Sequence, residues 1–123
     1  MSKTILIVDD SGYSRSTIKG ILVNAGYQVI GEAKDGVEAL DKIVELDPDL
    51  VTLDNILPDM TGLEILRALK EQGISRTVIM VSAVGQQSAI QEGLDLGIKA
   101  YITKPFDPKE LLEEVKKSFA ISD

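Results

Sequence analysis

Five short apolar runs alternate with five stretches of helical periodicity along this chain, and few folds accept that pattern. The runs begin near Thr4, Gln28, Leu50, Thr77 and Lys99, about 22 to 27 residues apart, which suits one strand plus one helix per repeat. Between them Ile18, Ile21, Leu22 and Ala25 keep the i, i+3, i+4, i+7 spacing of a buried helix face. Leu40, Ile43 and Val44 do the same, as do Ile65, Leu66 and Leu69. Ile90 and Leu94 mark one face of a fourth helix, and Leu111, Leu112, Val115 and Phe119 that of a fifth. Thr61 with Glu64, and in effect Asp107 with Glu110, are capping boxes, and Pro108 suits a first helical position. Gly26, Gly73 and Gly97 are helix stops. Ile5–Val8, Leu50–Leu53 and Val78–Val81 are nearly continuous apolar runs, as strands covered on both faces must be. Gln28–Ala33 and Lys99–Thr103 mix in polar residues, like edge strands. The expected architecture is therefore α/β: a flavodoxin-like (βα)5 doubly wound parallel sheet in the order 2-1-3-4-5. Right-handed crossovers then put two helices on one face and three on the other.

Charged residues stand where these runs stop. Asp9 and Asp10 follow Ile5–Val8, Asp54 follows Leu50–Leu53, and Lys104 follows Ala100–Thr103. Ser82 ends the fourth run. In a parallel sheet all of them meet at the carboxyl edge, where open sheets bind ligands. Each has an ordinary alternative. The first two acids could cap a helix, Asp54 could close an Asx-turn, Ser82 could be a turn residue, Lys104 could be solvated, and Tyr101 could be edge packing. Their joint placement argues for one purpose. Carboxylates held together repel, and a cation relieves this. All-oxygen ligation suits magnesium, with manganese as an alternative. A phosphoryl group brought to that cation meets Lys104 on its other side. Asp54 is then the natural nucleophile, giving an aspartyl phosphate, with Asp9 and Asp10 placed for metal and Ser82 for a phosphoryl oxygen.

Composition narrows the classes. The chain has 123 residues, which fits a single domain over 1–123. Its net charge of −7, with no basic stripe, speaks against nucleic-acid binding. It has no cysteine and no histidine, which removes thiolate chemistry, the commonest zinc ligand and the commonest catalytic base. Met1–Thr4 shows no apolar signal core and no run reaches the length of a membrane span, so a cytoplasmic chain with no membrane association is expected.

Ile7-Val8-Asp9-Asp10, Asp54 with Leu57-Pro58-Asp59-Met60-Thr61-Gly62 behind it, Ser82-Ala83, and Lys104-Pro105-Phe106 together resemble the receiver domain of two-component response regulators, over essentially the whole chain. The stretch Ser82–Gln87 is more narrowly similar to single-domain chemotaxis regulators of the CheY type. The resemblance implies that Asp54 is the phosphoacceptor, that Asp9, Asp10, Asp54 and the backbone carbonyl of Ile56 hold magnesium, and that Lys104 contacts the phosphoryl group. It implies Ser82 as the switch hydroxyl, Tyr101 as its aromatic partner, and a cis peptide between Lys104 and Pro105. It also implies a histidine kinase as phosphodonor, a separate target protein on the face of helix 4, strand 5 and helix 5, and a phosphatase as a further partner. A monomer is expected, catalysing only its own phosphoryl transfer and dephosphorylation. Ile56 and Val84 depart from the polar side chains many receivers carry there. Four rivals stand beside this reading. A phosphorelay intermediate would pass its phosphoryl group to a histidine phosphotransfer protein. A flavin mononucleotide carrier would have its phosphate repelled by Asp9 and Asp10. An aspartate-nucleophile phosphohydrolase of the haloacid dehalogenase type would need an acid where Ser11 stands. A pseudo-receiver would have lost one of the acids or the lysine.

Overall fold

The apolar runs become five parallel strands, and their alternation decides where each side chain goes. The computed structural model describes residues 3–122. It runs β1 (Thr4–Val8), α1 (Gly12–Asn24), β2 (Gln28–Ala33), α2 (Gly36–Leu46), β3 (Leu50–Leu53), α3 (Gly62–Glu71), β4 (Thr77–Ser82), α4 (Gln87–Asp95), β5 (Ala100–Thr103) and α5 (Pro108–Ser122). The sheet order is β2-β1-β3-β4-β5, the flavodoxin-like order the strand compositions imply. Successive strand residues point to opposite faces. Leu6, Val8, Val51, Leu53, Val78 and Met80 therefore enter one core with residues of α2 and α3. Ile5, Ile7, Leu50, Ile79, Val81 and Ile102 enter a second with α1 and α5. With α4 on the first face, the division is three helices against two. Among the described residues no helix is long and apolar enough to cross a membrane.

The helix ends follow their local chemistry with two exceptions. Thr61 and Glu64 form the expected capping box. Gly26, Gly73 and Gly97 sit at φ of 94°, 71° and 98°, a region open to glycine without Cβ strain. Asp107, however, caps α5 by accepting the Lys109 N–H at 2.9 Å rather than through a box with Glu110, Pro108 between them having no N–H to offer. On α4 the buried residue is Gly93, not Ile90 or Leu94, and Leu94 is 44% exposed. The helix rests through its glycine on Ile98 and Met80, which leaves Leu94 turned outward and Ile90 half-buried.

Gly62 permits an equally close approach at the start of α3. A Cβ there would lie 2.6 Å from the backbone oxygen of Asp54 and 2.8 Å from Met80 Cε. Gly62→Ala is expected to destabilise by roughly 1–3 kcal/mol, the usual cost of overpacking. Gly20→Ala, where nothing lies within 4 Å, should instead gain about 1 kcal/mol of helix propensity. Urea denaturation of both variants checks this, and a neutral Gly62→Ala would contradict it.

Candidate functional site

Main-chain register builds the site. Val8 is level with Leu53 across β1 and β3, so the residues that follow, Asp9 and Asp54, are neighbours. The ladder runs one step further, with the Asp54 N–H donating to Val8 O at 2.9 Å. On the flanks, the Asp9 N–H donates to Ala33 O at 3.0 Å and the Lys104 N–H to Ser82 O at 2.8 Å. Asp9, Asp54 and Lys104 are thus set at one edge by hydrogen bonds that any residue could make. What is particular to them is their side chains.

Each buried acid divides its oxygens. Asp9 Oδ1 accepts the Ser11 N–H at 2.9 Å, and its Oδ2 accepts from Lys104 Nζ at 2.7 Å. Asp54 Oδ1 accepts the Ile56 N–H at 3.1 Å, and its Oδ2 lies 3.2 Å from the same ammonium. Neither Asp9 nor Asp10 caps α1; Ser11 does, accepting the Ser14 N–H. The Asx-turn and the charged site are therefore compatible roles of one side chain. Asp10 is exposed, yet one oxygen each from Asp9, Asp10 and Asp54 lie within 4.8 Å of one another. Three carboxylates and one ammonium leave two negative charges at a purely oxygen donor set. That charge and chemistry fit a hard divalent cation.

Ser82 and Tyr101 meet through a main chain. Ser82 is fully buried, and its hydroxyl accepts the Val84 N–H at 3.2 Å. Tyr101 donates its hydroxyl to the carbonyl of the same Val84 at 2.5 Å. Burial raises the Tyr101 pKa, the Ser82 hydroxyl lowers it, and the Asp54 charge raises it again, so the phenol stays above its ordinary value and remains a donor. The Lys104–Pro105 peptide is cis. Ile56, whose N–H binds Asp54, is 54% exposed, and Val84, between Ser82 and Tyr101, is half-buried; both are apolar.

Three contacts at the site are not anticipated by reading the sequence. Ser14 Oγ lies 3.4 Å from Lys104 Nζ, Arg15 Nη1 donates to Asp9 O at 2.8 Å, and buried Asn55 accepts the Leu63 N–H through Oδ1 at 3.2 Å. The available signal is position. The first two sit in the first turn of the helix that follows the acid pair, and the third follows Asp54 directly.

Burial pulls the Lys104 pKa down, but the hydrogen bond to Asp9 and the charges of Asp54 and Asp9 outweigh it, so the pKa is raised. A raised lysine contributes stability that is fully present below the unfolded value near 10.4 and is lost as pH rises through the folded value. Lys104→Met should therefore melt below wild type at neutral pH, with the gap closing above that range. The same change takes the site from two negative charges to three, so it should bind magnesium more tightly, whereas Asp10→Asn should bind it more weakly. Magnesium is expected to stabilise the wild type by mass action, by roughly 2.7 kcal/mol at a hundred times its dissociation constant, and so to raise its melting point. Thermal melts against pH and magnesium measure all of this, and a Lys104→Met variant with weaker binding would contradict the charge balance.

Comparison with known proteins agrees with this geometry. The sequence model of the response regulator receiver domain matches residues 5–116. The chain is 40% identical over 117 residues to the chemotaxis protein CheY of Thermotoga maritima, covering 95% of this chain and 98% of that one. To CheY of Bacillus subtilis it is 42% identical over 118 residues, covering 96% and 98%. Among solved structures, the CheX–CheY–BeF3–magnesium complex from Borrelia burgdorferi superposes with a TM-score of 0.90 at 34% identity, covering 95% and 89% of the two chains. A Francisella response regulator receiver domain superposes at 0.92 with 30% identity, covering 99% and 100%. The ordered sheet, the acid cluster with its lysine, and these likenesses together place the chain in the response regulator receiver family, as a CheY-like member.

Proposed function

We propose that this chain is a phosphorylation-controlled switch in chemotaxis-type signalling. A histidine kinase donates the phosphoryl group to Asp54, and the phosphorylated form changes its affinity for a separate target protein. The observation that carries this reading is the Asp54 carboxylate, fixed through Oδ1 by the Ile56 N–H with Oδ2 facing Lys104 and the Asp9 and Asp10 oxygens close by. A carboxylate oxygen of Asp54 attacks the phosphorus of a phosphohistidine. The P–N bond breaks as the P–O bond forms, and the departing imidazole nitrogen takes a proton from water. Magnesium bound by Asp9, Asp10, Asp54 and the Ile56 carbonyl would supply charge neutralisation at the phosphoryl oxygens. Lys104 then exchanges its contact with Asp54 for one with the new phosphoryl group. An apolar groove of about 440 Å³ opens beside Lys104, lined by Tyr13, Ile18, Ile21 and Phe106, and offers the donor protein a surface.

Phosphorylation takes Asp54 from one negative charge to about two and adds acceptor oxygens, by analogy with other phosphorylated side chains. The Ser82 hydroxyl is the switch group that turns toward them. Doing so releases the Val84 N–H, and with it the main chain that Tyr101 grips from the other side. The face of α4, β5 and α5 changes shape as a two-state element and docks the target. The protein works as a cytoplasmic monomer, turning over no substrate beyond its own phosphoryl group.

Incubation with magnesium and acetyl phosphate should add one phosphoryl group to the wild type and none to Asp54→Asn, read by intact-mass spectrometry. Equal mass gain in both would sink the assignment.

The lifetime of the phosphorylated form follows from Ile56 and Val84. Loss requires water in line with the P–O bond, and neither side chain can orient or deprotonate it. Such help is typically worth about 10²–10⁴-fold where it operates. Dephosphorylation is therefore expected to be slow unaided, with a separate phosphatase ending the signal. Following phosphoryl loss after donor removal, Ile56→Asn and Val84→Glu should both decay faster than wild type. Equal or slower decay would show that apolar shielding does not set the lifetime.

A further inference from the structure

The loop between β3 and α3 makes two contacts that the phosphorylation chemistry does not use. The Asp59 carboxylate accepts the Gly36 N–H through Oδ1 at 2.7 Å and the Val37 N–H through Oδ2 at 3.0 Å. These are the first two residues of α2, whose N–H groups have no partner within the helix. The cap of α2, Asp35, serves Glu38 instead, at 2.8 Å. Asp59 thus reaches back across the fold to close a helix end from a distant loop. The Gly36 N–H, acting against partial desolvation and aided by the Val37 N–H, holds the carboxyl below the usual carboxylate range, so it is charged at neutral pH. Its charge also faces the positive end of the helix dipole. Beside it Met60 lies so close over Gly36 that a Cβ there would sit 2.2 Å from Met60 Cγ. A polar and an apolar contact therefore fasten the same loop to the same helix end.

We propose that Asp59 is a positioning residue of the cation site, pinning the β3–α3 loop to α2 and so fixing the Ile56 main chain three residues upstream. The proposal rests on the reading of Asp9, Asp10, Asp54 and the Ile56 carbonyl as that site. The far side of the loop is already held, by the Asn55 contact with Leu63 and by an antiparallel bridge between Ile56 and Thr61. Buried Leu57 ties the loop to the core, and Asp59 and Met60 supply its anchor on α2. A loop lacking it must be ordered when the cation binds, and that ordering is subtracted from affinity.

The test is magnesium titration of the folded protein followed by amide chemical shifts, with thermal melts alongside. Asp59→Ala should weaken magnesium binding by about tenfold, the lower end of what supporting contacts of metal ligands are worth. Asp59→Asn keeps an acceptor oxygen and should fall between Asp59→Ala and wild type. Gly36→Ala leaves Asp59 in place but displaces Met60, so it should weaken magnesium too, with no further effect in a Met60→Ala background. Asp49→Ala is the control. That carboxylate accepts the Thr4 N–H at 2.8 Å and the Thr4 hydroxyl at 3.0 Å at the opposite edge of the sheet. Its loss should lower the melting point and leave magnesium affinity unchanged. Wild-type affinity in Asp59→Ala, or an equal loss of affinity in Asp49→Ala, overturns the proposal. A wild type that binds no magnesium overturns the cation-site reading itself, and the proposal with it.

Discussion

The parallel ladder between β1 and β3 carries more of this molecule than any side chain does. Because Val8 and Leu53 are level and the ladder continues through the Asp54 N–H, two carboxylates emerge side by side at one edge. A shift of β1 by one residue in that register would send each of its side chains to the opposite face and into the wrong core. The cores therefore enforce the site. Leu6 and Val8 belong with α2 and α3, Ile5 and Ile7 with α1 and α5, and a pairing of β1 with β3 shifted by one residue would reverse both assignments. The apolar pattern that makes the sheet is the same pattern that aligns the acids.

Aligned acids are costly, and the way the cost is met defines the chemistry. Asp9 and Asp54 are nearly buried, and one ammonium serves both. Burying ions is tolerated when they are paired and their remaining lone pairs are satisfied. Here the Ser11 and Ile56 N–H groups take one oxygen of each acid. One ammonium against these two acids leaves one negative charge, and Asp10 makes it two. A lysine suits this arrangement better than an arginine would. Its ammonium is a point charge on a flexible stem, able to leave a carboxylate for a phosphoryl oxygen, whereas a guanidinium fork would hold an acid in fixed geometry.

The sheet order, the helices and the acid cluster were legible because each is written in short-range periodicity. Apolar runs ending in charge can be read one strand at a time, and Thr61 with Glu64 declares a helix start within four residues. The double role of Asp9 and Asp54 was half legible. An Asx-turn and a charged site compete on paper, yet a carboxylate has two oxygens and performs both. Asp59 was invisible because its partners, Gly36 and Val37, lie on another helix and nothing local marks the pairing. Ser14 and Arg15 were missed for a related reason. Their contacts with Lys104 and Asp9 depend on where the first turn of α1 lands relative to the sheet edge, a tertiary fact. The outward turn of Leu94 has the opposite cause, since the helical spacing was present but Gly93 supplies the close contact that a larger residue would prevent.

The two sides of the site differ in how firmly they are held, and the difference suits the proposed switch. The β3–α3 side carries Asp54 and Ile56 and is fastened by Asn55, Thr61, Asp59 and Met60 to two helices. The β4–α4 side is attached more lightly. Ser82 and Tyr101 both act on the main chain of Val84, the cap of α4 at Gln86 makes no side-chain hydrogen bond, and the buried residue of that helix is a glycine. Elements that move in response to ligands come from the weakly held end of a structure's stability range. Chemistry at Asp54 requires reacting atoms that stay in place. A signal requires a neighbouring element with two arrangements of similar free energy, which a small change in hydrogen bonding can rebalance. In this fold Asp54 follows β3 and Ser82 ends its neighbour β4, so the two sides meet across adjacent strands. What separates the rigid half from the yielding one is the number of anchors each loop has, more than any difference in the sheet beneath them.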